Sequence, residues 1–311
     1  MYVPYTLHEY YDELEKEFHQ LHLDFQETLG GETLHQLRVN IKKHLAFFRL
    51  LHGLGGKLSL EEIQKPFIKF TRKIGKIRNL EILQQLLKTE EIAFSVTNGY
   101  SAKIEKDIAK KRKQLKKPSK DISLIPFKEV SDKVRRNIDH IPLGNVQENL
   151  GEYFHFLLEE IRQTIHQEVS IEQLHSLRKV LKTLFFNLRL TDRMIPKEDF
   201  SKKLYDKLVG FSKQFGDWHD EFITIEKLRN NPKKVNKKVF KDLKNKERQS
   251  RQELRKQFKN IFKLTKKIEK EIYRLFAEDE EVMPLSRRFE KEKYHRIRES
   301  FEQVNIGESL K

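Results

Sequence analysis

The stretch LHQLRVNIKKHLAFFRL, residues 34–50, decides the fold because its apolar residues recur every three or four positions. This spacing predicts a helix with one buried face, made of Leu34, Leu37, Ile41, Leu45 and Phe48. Basic and titratable residues follow a neighbouring line along the same helix, namely His35, Arg38, Lys42 and Arg49. The stretch therefore predicts a core helix with a cationic strip along the edge of its buried face.

The same pattern returns as LHSLRKVLKTLFFNLRL, residues 174–190. Its apolar face is Leu174, Leu177, Leu181 and Leu188, and its cationic strip is His175, Arg178, Lys182 and Arg189. The preceding segments LHEYY (from Leu7) and LGEYF (from Leu150) also match, as do FTRKIGKIRNLEIL (from Phe70) and FSKQFGDWHDEFIT (from Phe211). Three matches at nearly one offset predict two similar helical units, 5–140 and 146–305, within a single domain over 1–311.

The rest of the chain predicts an all-α fold, because helical spacing recurs between scarce Gly and Pro residues and no segment alternates like a strand. Helices are expected over 6–28, 32–52, 59–88, 95–117, 126–139, 146–168, 171–190, 197–229, 233–277 and 285–305. The segment 233–277 is long for one straight helix, so a kink is expected there. Gly75 and Gly216 align in mid-helix, and close helix packing is the expected reason for them.

Composition narrows the class of partner. Lys and Arg number 63 against 47 Asp and Glu, which gives a formal net charge of +16. This balance favours a polyanionic partner: nucleic acid, an acidic membrane surface or a phosphate polymer. The absence of cysteine excludes disulfides, thiolate catalysis and cysteine metal sites. No segment reads as a signal peptide or a membrane span, so a cytoplasmic protein is expected.

The cationic strips allow two interpretations. Basic residues beside a core stripe often lay their methylenes on the core and keep their charges in water. However, the strip occurs twice with its histidine, and no Asp or Glu interrupts residues 33–56 or 173–191. Such rows repel themselves unless an anion lies against them. The aligned pairs Arg78-Asn79 and His219-Asp220 are interpreted either as groups that orient the basic side chains or as plain surface pairs.

On these motifs the sequence resembles the CHAD family, the conserved-histidine α-helical domain. The resemblance rests on His35-x-x-Arg38-Val39-x-x-Lys42-Lys43, its copy from His175, and the segments around Gly75 and Gly216. It implies two four-helix bundles related by a pseudo-twofold axis, with a basic central groove or pore. It also implies binding of inorganic polyphosphate, which phosphate or sulfate ions would mimic, and association with polyphosphate granules.

The resemblance also implies a ligand surface. Transferred position by position, it consists of His35, Arg38, Lys42, Lys43, Arg49, His175, Arg178, Lys179, Lys182 and Arg189, with Arg72 and Lys213 from the following helices. Lysine stands at several positions where arginine is commoner in the family, which keeps the charge but loses the bidentate fork. No Glu-x-Glu-x-Lys strand is found, so the triphosphatase activity of some relatives is not expected.

Other functions remain open at this point. A nucleic-acid-binding protein fits the net charge, although stacking on bases calls for exposed aromatic residues among the basic ones. A basic groove would also suit an acidic protein partner. Catalysis, a metal and a cofactor are not expected, because the helical neighbours of His35 and His175 are Arg, Val and Lys residues, which do not bind divalent metals.

Overall fold

A computed structural model describes residues 3–57, 59–88, 98–116, 127–166, 169–194, 200–230 and 237–276. These residues form ten α-helices and no strand, which confirms the all-α prediction. The helices are α1 (Val3–Thr28), α2 (Gly31–Gly53), α3 (Leu60–Leu87), α4 (Asn98–Lys116), α5 (Phe127–Asp139), α6 (Val146–Ile165), α7 (Ile171–Met194), α8 (Lys202–Arg229), α9 (Lys237–Lys256) and α10 (Phe258–Phe276). A short 3-10 turn, Leu143–Asn145, precedes α6. The helix expected over 285–305 lies outside the described residues.

The segment 233–277 contains two helices instead of one. The chain turns at Gln257, whose N–H donates to the carbonyl oxygens of Glu253 (3.2 Å) and Leu254 (3.0 Å). The next helix begins with the N–H of Ile261 donating to the Gln257 carbonyl at 2.9 Å. The turn lets α9 pack on α8 while α10 packs mainly on α6. The expected kink is thus a complete break between two helices.

Each half of the chain places its helices in a similar order. In the first half α2 packs between α1 and α3, α4 packs on α3, and α5 packs on α1. In the second half α7 packs on α6 and α8, α9 on α8, and α10 on α6. Five described helices therefore belong to each half, one more than the four-helix bundle that the resemblance implies.

The central helices α2 and α7 form the middle of the core. The predicted stripes from Leu34 to Phe48 and from Leu174 to Leu188 are buried, which confirms this part of the sequence analysis. From His44 to Leu51, however, every side chain of α2 is buried, because α2 contacts α7 of the other half as well as α1 and α3. The second side of α2 is therefore an interface between the two halves.

Buried hydrogen bonds join the halves at this interface. Arg49 donates from Nη1 to the hydroxyl of Thr183 at 3.1 Å. Asn187 donates from its amide to the carbonyl of Ala46 at 3.1 Å, and within its own half it donates to the hydroxyl of Tyr153 at 2.7 Å. A buried polar group left without a partner is costly, so these bonds favour this register of α2 against α7 over others.

The expected reason for Gly75 and Gly216 is wrong. A Cβ atom at either position would meet nothing within 4 Å, so neither glycine is required by close helix packing. Tight contacts occur at other glycines, among them Gly53, where a Cβ atom would approach the Tyr153 ring to 2.5 Å. Gly55 ends the same segment at a φ of +89°, a conformation that L side chains rarely adopt. Glycine therefore matters where α2 ends against α6.

Candidate functional site

The two cationic strips lie side by side across the interface of the halves. We call the group that they form with residues of α3 and α8 the cationic cluster, and it consists of His35, Arg38, Lys42, Arg78, His175, Arg178, Lys182, His219 and Asp220. Helices α2 and α7 contribute three residues each, α3 contributes Arg78, and α8 contributes the last two. The membership follows from the electrostatic influence that these groups exert on one another.

Lys182 shows most directly that the halves meet here. Its side chain is half-buried, and burial together with the neighbouring charges of Arg178 and Arg38 lowers its pKa to about 8. Arg178 belongs to the same helix, but Arg38 belongs to the other half of the chain. Cations of the two halves are therefore close enough to destabilise each other's charge.

His35 occupies the first-half side of the cluster. Burial, and then the positive charge of Arg78, lower the pKa of His35 below its ordinary value. Its Nδ1 atom is buried and has no hydrogen-bond partner among the described residues. The ring is thus a polar group that is held among cations in its neutral form.

His175 and His219 form a pair on the second-half side. Their Nδ1 atoms lie 3.1 Å apart, so one nitrogen donates and the other accepts. Burial, followed by Arg178, His175 and Lys42, lowers the pKa of His219 far below its ordinary value. The ring of His175 also contacts the ring of Trp218, with centroids 5.0 Å apart. Packing and charge therefore keep His219 neutral.

Asp220 brings a negative charge to this group. Burial raises the pKa of Asp220, while Arg178, Arg78 and Arg38 act in the opposite direction. The carboxylate thus faces arginines of both halves. One carboxylate among several cations leaves the cluster positively charged overall.

The structure brings together six of the predicted site residues: His35, Arg38, Lys42, His175, Arg178 and Lys182. Others have different surroundings. Lys43 forms an ion pair with Glu17 of α1 at 2.9 Å, and Arg49 is buried against Thr183. Arg189 is exposed, and its positive charge acts to lower the pKa of Tyr10 in α1. Lys179 is partly buried next to Arg178, whereas Arg72 and Lys213 are exposed on α3 and α8.

Arg78, His219 and Asp220 were not among the predicted site residues. Their signal was the alignment of Arg78-Asn79 with His219-Asp220, which fitted an orienting role and a surface pair equally well. Arg78 is oriented by Glu81, one turn further along α3, at 3.6 Å. Glu81 in turn accepts a hydrogen bond from Arg112 of α4 at 2.7 Å. The carboxylate is thus shared, which leaves Arg78 with positive charge directed at the cluster.

This arrangement suits an extended anion. A row of cations from two helices can neutralise several charges along one ligand. Within the described ranges, no group of three or more His, Asp or Glu residues could hold a metal ion. No helix in the same ranges has the length and apolar character needed to cross a membrane.

Comparison with known proteins yields one family. The family model of the CHAD domain matches residues 12–229, which include α2, α3, α7, α8 and every member of the cationic cluster. No curated protein matches the chain significantly.

Proposed function

Because the chain belongs to the CHAD family, we propose that it binds inorganic polyphosphate in a basic groove lined by α2 and α7, without catalysing a reaction. The observation that carries the proposal is the mutual repulsion of Lys182 and Arg38 across the interface of the halves. A linear anion placed between the two strips would relieve this repulsion. It would also release the counterions that accompany both partners.

The proposal includes the internal repeat and its pseudo-twofold axis. The positive charge of Arg49 in the first half acts to lower the pKa of Tyr153 in the second. The positive charge of Arg189 in the second half acts in the same way on the pKa of Tyr10 in the first. These residues occupy matching positions in the aligned sequences. The reciprocal contacts support a twofold exchange of the halves, which would place the two strips on opposite sides of one groove.

Polyphosphate fits the cluster better than nucleic acid does. Bases of single strands need exposed aromatic rings to stack on. The aromatic rings nearest to His175 belong to Trp218 and Phe222, which are only 1% and 8% exposed. The phosphate chain needs no such surface. The proposal also includes a cytoplasmic location with polyphosphate granules, where such chains are stored.

Binding to long-chain polyphosphate tests the proposal. The unchanged protein should retain labelled polyphosphate on a filter at moderate salt, and the double variant Arg38→Glu, Arg178→Glu should lose this retention. The matched control is Lys103→Glu, Lys259→Glu, which changes net charge equally at exposed positions of α4 and α10. Equal retention by both double variants would contradict the proposal.

Three further measurements separate the alternatives. Single-stranded DNA of equal charge should compete weakly with polyphosphate, whereas strong competition would favour a nucleic-acid-binding protein. Poly-glutamate should also compete weakly, whereas strong competition would favour an acidic protein partner. Incubation of the protein with polyphosphate and Mg²⁺ or Mn²⁺ should release no phosphate, and steady release would show that the protein is an enzyme.

A further inference from the structure

Helix α9 carries a second row of cations, away from the cationic cluster. Its basic residues recur alternately every four and every three positions, so at about 100° per residue they fall within an arc of about 80° on one side of the helix. We call this row the α9 face, and it consists of Lys237, Lys241, Lys244, Arg248, Arg251 and Arg255. The row extends for about 27 Å, and no Asp or Glu of α9 falls within its arc. It lies beyond residues 12–229, the region matched by the CHAD domain.

Most of the α9 face keeps its positive charge unneutralised. Five of its six side chains are exposed, and Arg251 is partly buried. Among the described residues, only Arg251 has a carboxylate partner, Glu247, at 3.5 Å. Lys244 lies over the ring of Phe240, and Arg255 donates to a backbone carbonyl at 2.8 Å, so both contact neutral groups. The face therefore presents five unpaired cations to whatever lies against it.

A concavity beside the middle of the α9 face adds a cation from a second helix. Four basic side chains of α8 and α9 line it: Arg229, Lys244, Arg248 and Arg251. Its two carboxylates, Glu226 and Glu247, are each paired with one of these arginines, which leaves two cations over. Its apolar residues Phe222 and Ile225 are only 8% and 5% exposed, so they offer no open surface to a ring. The concavity therefore suits an anion that carries no base.

The α9 face adjoins the cationic cluster. Phe222 lines the concavity, and its ring also contacts the ring of His175 in the cluster, with centroids 5.1 Å apart. Glu247, in the same concavity, accepts from Nε1 of Trp218 at 2.9 Å, and the Trp218 ring contacts His175 as well. Ile171, which also lines the concavity, precedes His175 by one turn of α7. One layer of aromatic side chains thus lies between the two groups of cations.

We propose that a polyphosphate chain longer than the groove continues along the α9 face, which therefore gives the protein a preference for long chains. The inference rests on the proposed function and deepens it. A flexible linear anion with a charge on every unit can follow both groups of cations in turn. Once the groove holds one part of the chain, contact of the next part with α9 is effectively intramolecular and adds affinity. A chain that fills only the groove gains nothing from α9.

Size-sorted polyphosphate tests the inference on the full chain, with a short oligomer and a chain several times longer than the α9 face. Fluorescence anisotropy of end-labelled polyphosphate measures the affinity for each. The double variant Lys241→Ala, Arg248→Ala should weaken binding of the long chain about tenfold and change binding of the short oligomer by less than about twofold. Both side chains are exposed, so the variant should keep the fold.

The matched control is Lys246→Ala, Lys256→Ala, which removes two exposed charges of the same helix outside the α9 face. It should leave both affinities unchanged within about twofold. If Lys241→Ala, Arg248→Ala weakens both chain lengths equally, or neither, the inference is overturned.

A separate outcome identifies failure of the proposed function. If neither chain length binds, or if Arg38→Glu, Arg178→Glu leaves binding of the short oligomer unchanged, the groove is refuted and the inference with it. Single-stranded DNA of equal charge is the remaining probe. If it binds through Lys241 and Arg248 as tightly as the long polyphosphate does, the α9 face is a nucleic-acid surface and the inference is overturned.

Discussion

Lys182 combines burial with a position between two arginines. The charged form of its side chain is opposed by burial and by Arg178 and Arg38, so its pKa is about 8. A bound anion would restore the charge, because an opposite charge nearby raises the pKa of a lysine. Binding of polyphosphate and protonation of this one side chain are therefore linked.

We expect the titration of Lys182 to leave polyphosphate affinity unchanged below pH 8 and to lower the affinity above pH 8. The free lysine loses its proton above about pH 8, whereas the bound lysine keeps it, so binding takes up a proton in this window. One proton changes the affinity by at most about tenfold per pH unit. Lys182→Arg should flatten the profile between pH 8 and pH 9.5, because arginine stays charged.

The profile is measured by filter retention at constant ionic strength. Lys259→Arg, at an exposed position of α10, is the control and should keep the steep decline. A decline of the same steepness in Lys182→Arg would show that another group takes up the proton.

His44 shows a second consequence of burial. The ring is fully buried and packs against Phe67, with centroids 5.2 Å apart. Its Nδ1 donates to the carbonyl of Asn40 at 3.1 Å, while Nε2 has no hydrogen-bond partner in the described part of the chain. Burial lowers the pKa of His44 to about 4, so the folded protein holds this ring neutral.

We expect His44 to make the protein sensitive to acid. The unfolded chain binds a proton at His44 below about pH 6.5, while the folded protein does so only near pH 4. Stability should therefore fall by about 2 kcal/mol between pH 7 and pH 5 on account of this residue. His44→Phe should remove that part of the loss in urea unfolding, and exposed His19→Gln should not. Equal losses in both variants would contradict the assignment.

At the scale of elements, the half-buried carboxylate of Glu269 in α10 forms an ion pair with α6. Glu269 accepts from Nη1 and Nη2 of Arg162 at 2.8 and 2.9 Å and lies 2.7 Å from Nδ1 of His155. Although burial acts to raise it, the hydrogen bonds from His155 and Arg162 hold the pKa of Glu269 at about 2. A bidentate pair fixes the relative orientation of its two side chains as well as their distance, so it defines how α10 lies on α6.

Replacing Glu269 by Gln should lower the free energy of unfolding by about 2 kcal/mol at pH 7. The amide keeps the size of the side chain but removes one of the two carboxylates that pair with Arg162, which is 8% exposed, and leaves only the pair with Glu159 among the described residues. The urea midpoint measures the loss. Glu253→Gln, which breaks an exposed pair with Lys256, should cost less than about 0.5 kcal/mol. Losses of equal size would show that the α10 contact contributes no more than a surface pair.

At the scale of the whole molecule, positive charge collects where the two halves meet. The chain carries a formal charge of +16, and five basic side chains belong to the cluster: Arg38, Lys42, Arg78, Arg178 and Lys182. Neither half contains all of them. The field at the interface is therefore a property of the assembled fold.

Polyphosphate affinity should fall steeply with salt. If a flexible phosphate chain behaves like a single nucleic-acid strand, five neutralised charges give a loss of about 100-fold between 50 and 200 mM salt. Arg78→Ala should reduce the slope of log affinity against log salt by about 0.7. Lys103→Ala on α4 is the control and should leave the slope unchanged. An unchanged slope in Arg78→Ala would exclude Arg78 from the contact.

Much of the fold was predictable from the sequence because helix position depends on local periodicity. The spacing of Leu34, Leu37 and Ile41 was enough to identify a core helix, and its copy at residues 174–190 identified the second. The break at Gln257 was only partly predicted, since two helices packing on different partners leave no signal in local spacing. The fully buried side of α2 was not predicted, because a stripe does not show what a helix contacts on its other side.

The sequence by itself determined that the chain is helical, strongly basic and marked by two matching cationic strips, because these are properties of composition and spacing. Only the tertiary structure decided which cations meet. It pairs Lys43 with Glu17, buries Arg49 at the interface, and directs Arg78 instead of Arg72 to His35. The physical reason is that the partner of a charged side chain depends on where the neighbouring helix lies. The apolar periodicity of the helix that carries the side chain gives no information about that position.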